Sequence, residues 1–193
     1  ESEIPTHRFF LIGDTGDAGE PASTTTFEFF KSRIDKADSA STVIFLGDNI
    51  YPNGMPDENS NQRKKAEQKL QLQIDLLRNF KGQTFFIPGN HDWYSGIKGL
   101  KAQEAFVTAQ LGKKTFQPNK ACPIDSKKIS DEISLIFVDS QWYLEDWDKH
   151  KNMNADCDLK TRDEFLEEFE SELNKNQNQL TIIAIHHPLL SGG

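Results

Sequence analysis

The sequence predicts an α/β fold in which one or more layered β-sheets are flanked by helices. Short continuous apolar segments, typical of strands covered on both faces, alternate along the chain with amphipathic segments typical of helices. Polar residues follow the apolar segments one after another, and sheets of this kind bind ligands at the carboxyl ends of their strands. The expected strands are residues 8–12, 42–46, 84–87, 133–138 and 180–185.

The amphipathic segments supply the expected helices. One follows the first strand, with Thr25 and Glu28 at capping-box spacing. Residues 61–80 and 98–111 are expected to form two more, and the charged face of the first of these is expected to be solvated and nothing more. The last helix precedes the fifth strand, whereas residues 115–128 and the loop up to about residue 158 are expected to be irregular. The apolar residues that define the helix faces are Phe27, Phe30 and Ile34, then Ala66, Leu70, Ile74 and Leu77, then Phe165, Phe169 and Leu173.

Length and composition indicate a soluble globular protein, and residues 1–193 are expected to form a single domain. Hydrophobic residues make up 36% of the chain and charged residues 27%, with no apolar run long enough to cross a membrane. The formal net charge of −8 argues against sequence-independent nucleic-acid binding, which needs clustered cations. We therefore expect neither a nucleic-acid partner nor a membrane segment in this chain.

The two cysteines, Cys122 and Cys157, leave two interpretations open. Neither has a His or Cys neighbour at zinc-finger spacing, so a thiolate metal site is not expected. They are either two unrelated thiols or one disulfide that closes a long loop. A disulfide would imply an oxidising compartment.

Oxygen and nitrogen donors follow the predicted strands and form the central observation. These are the hard and borderline ligands that metal ions prefer in the absence of thiolates. Carboxylates brought together without a counter-charge would repel one another and be costly to desolvate, and metal cations remove that cost. A mixture of Asp, Asn, Tyr and His suits two ions that share a bridging carboxylate, an arrangement that promotes phosphoryl displacement. The donors are Asp14, then Asp48 and Tyr51, then Asn90 and His91, then His186 and His187.

Each donor alone also has an ordinary structural interpretation. Asp14 and Asp48 follow glycines and could simply form turns at strand ends. Tyr51 could be a packed aromatic residue beside Pro52. The metal-binding hypothesis depends on the recurrence of donors at successive strand ends rather than on any one of them.

Four of these blocks, in this order, resemble the calcineurin-like metallophosphoesterase superfamily, and most closely its purple acid phosphatases. Ordinary members have Asp-x-His in the first block, whereas this chain has Gly16 where that His would stand, as the purple enzymes do. Tyr51 stands where those enzymes have a metal-binding tyrosinate. The resemblance implies metallophosphoesterase-like sheets flanked by helices. The blocks are residues 13–16 (GDTG), 47–51 (GDNIY), 89–92 (GNHD) and 186–188 (HHP).

The resemblance implies a site with two metal ions. Asp14 and Tyr51 would bind the first metal, Fe(III), for which a phenolate is a suitable hard ligand. Asp48 would bridge both metals. Asn90 and His186 would bind the second metal, a divalent ion such as Fe, Zn or Mn.

The resemblance also implies catalytic roles. A metal-bound hydroxide would attack phosphorus, and His91 would protonate the leaving group or stabilise its charge. Asp92 could orient His91 by a hydrogen bond. Asp17 and His187 are weaker candidates, either supporting the ligands or facing the substrate.

The expected activity is hydrolysis of small phosphomonoesters, in the manner of an acid phosphatase. Two alternatives remain: an inactive binding or structural module of a larger protein, and a nucleotide phosphodiesterase. The family's further Gly-His-x-His block does not occur before Gly193. We therefore expect the C-terminal part of the domain to be missing, and a segment beyond this chain to complete the site. An extracytoplasmic location, secreted or periplasmic, is expected from the resemblance and the cysteine pair.

Overall fold

A computed structural model describes residues 6–145 and 156–190 of the chain. Residues 146–155, which belong to the expected irregular loop, lie outside this description. In chain order the strands and helices are β1 (Arg8–Ile12), α1 (Pro21–Ile34), β2 (Ser41–Leu46), α2 (Arg63–Leu76), β3 (Gln83–Ile87), α3 (Asn90–Trp93), α4 (Gly96–Leu111), β4 (Ile124–Lys128), β5 (Ile133–Val138), α5 (Ser140–Leu144), α6 (Arg162–Lys175) and β6 (Leu180–Ile185). The five predicted strands are present, and helices separate successive strands except β4 and β5.

The strands form two three-stranded sheets. In the first sheet the order is β1-β2-β3 and all strands are parallel, because a helix crosses over between successive strands. In the second sheet the order is β4-β5-β6, with β4 antiparallel to β5 and β5 parallel to β6. The carboxyl ends of β1, β2 and β3 therefore share one edge, and those of β5 and β6 share another.

Two apolar clusters explain why the sequences of the strands are continuously hydrophobic. Alternate residues of β2, β3, β5 and β6 meet between the two sheets in a cluster that includes Ile44, Phe85, Leu135 and Phe137. The other residues of the same strands face the helices in a larger cluster. Each central strand is thus covered on both faces, as the sequence predicts.

Three local features differ from the sequence-based expectation. The first helix begins at Pro21, not near Thr25, because proline suits the first turn, where no N–H is needed. The polar segment β4 is a strand because β5 supplies its ladder partners, not because of its own pattern. A short helix, α5, follows β5, and Asp139 caps it by accepting a hydrogen bond from the N–H of Trp142. Within the described residues, no helix has the length and apolar character needed to cross a bilayer.

Cys122 and Cys157 form a disulfide, so the second of the two interpretations of the cysteines is confirmed. Their Cα atoms lie 5.2 Å apart and 35 residues separate them in sequence. The bond connects the segment before β4 to the segment before α6.

Removing this disulfide should destabilise the protein. Closing a loop of 35 residues restricts the unfolded chain, and we expect the Cys122→Ser/Cys157→Ser variant to lose about 3–4 kcal/mol of unfolding free energy. Urea denaturation measures the change. The wild-type protein in dithiothreitol serves as the matched control and should behave like the variant. An unfolding free energy that reduction leaves unchanged would contradict the pairing.

Candidate metal centre

The loops after β1 and β2 hold their aspartates in the same unusual backbone conformation. Asp14 has φ 55° and Asp48 has φ 54°, the left-handed region that non-glycine residues seldom occupy. The N–H of Asp14 donates to the carbonyl of Gly47 at 3.0 Å, which joins the two loops. Backbone strain of this kind is concentrated at functional sites.

Tyr51 contacts the first of these aspartates. Its hydroxyl donates to Asp14 Oδ1 at 2.9 Å. The ring lies against Gly16, where a Cβ atom would come within 2.8 Å of it, so the glycine of the first block makes room for the tyrosine of the second. Burial, the hydrogen bond to Asp14 and the nearby charge of Asp48 together raise the pKa of Tyr51 well above its ordinary value.

His186 meets a carboxylate and an amide from the first sheet. Its Nε2 atom lies 3.2 Å from Asn90 Oδ1 and 3.5 Å from Asp48 Oδ1. Its Nδ1 atom lies 2.7 Å from the carbonyl oxygen of Leu46. The end of β6 therefore meets the ends of β2 and β3, although the residues are far apart in sequence.

The contacts that His186 Nε2 makes with Asp48 and Asn90 have no hydrogen atom to share when the ring is neutral. A carbonyl oxygen only accepts, so Nδ1 must donate its hydrogen to Leu46. A neutral ring then presents a lone pair at Nε2 to Asp48 Oδ1 and Asn90 Oδ1, which also carry lone pairs. Three acceptors facing one another repel. Either a proton on Nε2 or a cation between the three groups removes the repulsion.

His91 lies on the other side of the Asp48 carboxylate. Its backbone N–H donates to Asp48 Oδ1 at 3.0 Å, and its Nδ1 donates to the carbonyl oxygen of Pro52 at 2.6 Å. The ring packs between Tyr51 and Tyr94, with centroid distances of 4.5 and 4.7 Å. Its Nε2 atom lies 3.9 Å from Asp48 Oδ2. The ring is thus held at the site with Nε2 directed away from its anchor.

The expectation that Asp92 orients His91 is wrong, because the carbonyl of Pro52 holds that ring. Asp92 is fully buried and binds backbone instead. It accepts from the N–H groups of Gly89 at 2.8 Å, Asn49 at 3.1 Å and Ile50 at 3.2 Å. Burial raises its pKa to about 6 in spite of these bonds. Its position indicates that it fixes the loops that carry the donors.

The sequence-predicted donors therefore form one connected group. Asp14 bonds to Tyr51, the charge of Asp48 acts on Tyr51, and Asn90 and His186 meet at Asp48. Counting His, Cys, Asp and Glu alone, residues 6–145 and 156–190 contain no group of three that could hold a metal ion. Three donor atoms converge only when the Asn90 amide oxygen is included.

A family model for calcineurin-like phosphoesterases matches residues 7–193, which is almost the whole chain. The chain belongs to the calcineurin-like phosphoesterase family. A comparison with curated proteins found no match.

Among solved structures, this family member is similar to "GAP50 the anchor in the inner membrane complex of Plasmodium". The two chains are 16% identical, with a TM-score of 0.59. The similarity covers 96% of this chain and 56% of that one, so this chain spans about half the length of that protein. At this identity the similarity shows the fold alone.

Calcineurin-like phosphoesterases generally use divalent metal ions, and the donor spacing fits such an ion. Two donor atoms bound at about 2.1 Å to one ion, at angles of about 90–109°, lie about 3.0–3.4 Å apart. The distances from His186 Nε2 to Asn90 Oδ1 and Asp48 Oδ1 are 3.2 and 3.5 Å. A Cβ atom on Gly89 would lie 2.3 Å from Asp48 Oδ1, so the loop leaves space for this carboxylate only with glycine there. These residues can hold a metal.

Asp17 does not contact the predicted metal ligands directly. It is connected to Tyr51 by Lys69, a residue that sequence reasoning missed. The Lys69 ammonium, on α2, donates to Asp17 Oδ1 at 3.2 Å and to the carbonyl of Tyr51 at 3.0 Å. Lys69 is buried, although the charged face of its helix was expected to be solvated only.

Gln73, one turn further along α2, was also missed. It accepts from the Thr15 hydroxyl at 2.8 Å and donates to the carbonyl of Asn49 at 2.7 Å. It is fully buried. Lys69 and Gln73 together connect the loop after β1 to the loop after β2. The only sequence signal for them is that each is a polar residue beside the apolar stripe of a helix.

His187 lies beside His186, with ring centroids 4.9 Å apart. Its Nδ1 lies 2.7 Å from the Ser140 hydroxyl. Burial and the neighbouring His186 lower the pKa of His187, so the ring favours its neutral form. Asp139, the residue before Ser140 in the sequence, is fully buried and accepts from Trp93 Nε1 at 2.8 Å.

The buried carboxyl of Asp139 should make stability depend on pH. Burial raises its pKa to about 7, and the charge of Asp92 adds to the effect. The folded protein therefore binds a proton that the unfolded chain has released above about pH 4. The contribution is complete below that pH and is lost as pH rises through about 7.

Urea unfolding of the metal-free protein between pH 5 and 8 measures this dependence. Wild type should lose stability as pH rises, and Asp139→Asn should show a flatter curve. The side-chain ¹³C signal of Asp139 should titrate near pH 7. A titration near pH 4 would contradict the analysis.

Proposed function

We propose that the protein is a dinuclear-metal-dependent phosphoesterase that hydrolyses small phosphomonoesters. One observation carries the proposal: donors from both sheets converge as mutually repelling acceptors at His186 Nε2. Membership of the calcineurin-like phosphoesterase family supports the same chemistry. When bound, two ions would supply positive charge to the phosphoryl oxygens and lower the pKa of a water molecule.

In such a site, Asp48 and His91 would have different roles. Asp48 lies between the Asp14–Tyr51 pair and the Asn90–His186 pair, so it is the carboxylate that can serve both metal positions. His91 donates from Nδ1 to the Pro52 carbonyl, so the imidazolium form is the one that carries a hydrogen on Nε2 and could give it to the leaving oxygen.

The proposed metals are Fe(III) at Asp14 and Tyr51, and a divalent Fe, Zn or Mn ion at Asn90 and His186. A phenolate is a hard anionic ligand that suits a trivalent ion. The pKa of Tyr51 is high in the absence of metal, so binding there must displace the phenol proton. The likeness of the first block to that of purple acid phosphatases, with Gly16 instead of histidine, supports this assignment.

Asp48→Asn should remove metal and activity together. Groups that merely support metal ligands contribute about 10–100-fold, so losing a carboxylate shared by two ions should cost at least about 100-fold in kcat/KM. The measurement is hydrolysis of p-nitrophenyl phosphate by the full-length protein, with metal content determined by elemental analysis. Asp131→Asn, an exposed aspartate, is the control and should keep both. Unchanged turnover in Asp48→Asn would refute the bridging role.

Tyr51→Phe should abolish the visible charge-transfer absorbance of the iron-loaded protein. It should also release one proton fewer per ferric ion bound, because the phenol proton is absent. Calorimetry in buffers of different ionisation enthalpy counts those protons. Wild-type protein that holds two metals but shows neither colour nor this proton release would favour a di-zinc or di-manganese centre.

A second candidate function is a binding module without catalysis. The similar solved structure is described as an anchor, which is the observation that favours this alternative. Full-length protein that binds no metal and turns over no ester would support it. Turnover of nucleotide diesters in preference to monoesters would favour a phosphodiesterase instead.

We also propose an extracytoplasmic location, secreted or periplasmic. The disulfide between Cys122 and Cys157 supports it, since such bonds persist in oxidising compartments. The small-molecule phosphoester would then be met outside the cytoplasm. Fractionation of cells expressing the full-length protein distinguishes the compartments.

A further inference from the structure

The Ser140 hydroxyl makes two contacts with His187 at the ends of β5 and β6. It accepts from the backbone N–H of His187 at 3.2 Å and lies 2.7 Å from His187 Nδ1. Ser140 is 5% exposed and begins α5, which Asp139 caps. The serine is thus fixed by its helix and not by the histidine.

These contacts select one tautomer of His187. If Nδ1 carried the hydrogen, the buried Ser140 hydroxyl hydrogen would need another acceptor, and the described residues offer it none within hydrogen-bond distance. A buried donor without an acceptor is costly. If the hydroxyl donates to Nδ1, every group is satisfied and the ring carries its hydrogen on Nε2.

The described residues form no hydrogen bond with His187 Nε2, and the ring borders the candidate metal centre through its contact with His186. The His187 ring is 4.9 Å from the His186 ring, and the charge of Asp48 reaches it. The ring is therefore close enough to the candidate metal centre for its hydrogen to reach a phosphoryl group bound there. Hydrogen bonds to anionic oxygens are among the strongest in proteins.

We propose that Ser140 holds His187 as an Nε2–H donor that binds a phosphoryl oxygen of the substrate. This inference rests on the proposed function for its substrate, but the tautomer does not depend on it. His187 is a substrate-binding group and Ser140 a positioning residue. The ring donates without losing its proton, so its task differs from that of His91.

The first test concerns the tautomer and uses this chain without metal. Two-dimensional ¹⁵N–¹H NMR of the ring should show His187 with its hydrogen on Nε2. Ser140→Ala should shift the ring towards a mixture of tautomers, whereas the exposed control Ser32→Ala should not. A hydrogen on Nδ1 in the wild-type protein would overturn the proposal.

The second test uses the metal-loaded full-length protein and p-nitrophenyl phosphate. His187→Ala should raise KM about 10- to 100-fold with little change in kcat, the range expected for one hydrogen bond to a charged group. His187→Gln, which can place an amide N–H near the position of Nε2, should recover most of the loss. Equal KM values for wild type and His187→Ala would overturn the inference while leaving the proposed function intact.

If the wild-type protein hydrolyses no ester, the proposed function fails and the donor is still testable. Calorimetry with inorganic phosphate should then show binding to wild type that is about 10-fold weaker in His187→Ala. Equal affinities, or no affinity in either protein, would refute the donor role.

Discussion

The buried carboxylate of Asp92 determines how the donor residues are placed. It accepts backbone N–H groups from the loop after β2 and from the loop after β3, so it joins two strand ends that the bond from the His91 N–H to Asp48 also connects. Asp48 directly precedes one bonded residue, Asn49, and Asn90 directly follows another, Gly89. The cost of burying this carboxyl appears in its raised pKa, and the N–H groups offset part of that cost.

A second contact, between His186 and Leu46, connects the second sheet to the donor residues of the first sheet. His186 donates from Nδ1 to the carbonyl of Leu46, at the end of β2, and this bond aims Nε2 at Asp48 and Asn90. A histidine with one nitrogen anchored on backbone and the other facing oxygens is oriented as metal-binding histidines are. The two sheets therefore contribute to one site because a single ring spans the gap between them.

The sequence predicted β1, β2, β3, β5 and β6 because their continuous apolar residues contact the clusters on both faces, and it missed the polar strand β4. It predicted that Asp14, Asp48 and His186 lie near strand ends, because each follows a strand closely and chain connectivity decides that location. It could not predict Lys69, Gln73 or Ser140, since their partners lie 18 to 58 residues away. Nothing in local pattern separates a buried polar side chain on α2 from a solvated one. The role of Asp92 was mistaken for the same reason, as its neighbour in sequence is not its partner in space.

The two halves of the site differ in what they require in the absence of metal. The Asp14–Tyr51 pair is satisfied by its own hydrogen bond, and it must lose the phenol proton before both oxygens can act as ligands. The Asp48–Asn90–His186 group brings three acceptors together, and a neutral His186 supplies no hydrogen between them. In the proposed dinuclear site, an ion at Asn90 and His186 would meet lone pairs that repel one another without it, whereas an ion at Asp14 and Tyr51 would have to displace the phenol proton. An ion at Asn90 and His186 would also act on Tyr51 through Asp48, opposing the carboxylate charge that helps keep the phenol protonated. In the proposed dinuclear site, this asymmetry would favour filling the Asn90–His186 position before the Asp14–Tyr51 position.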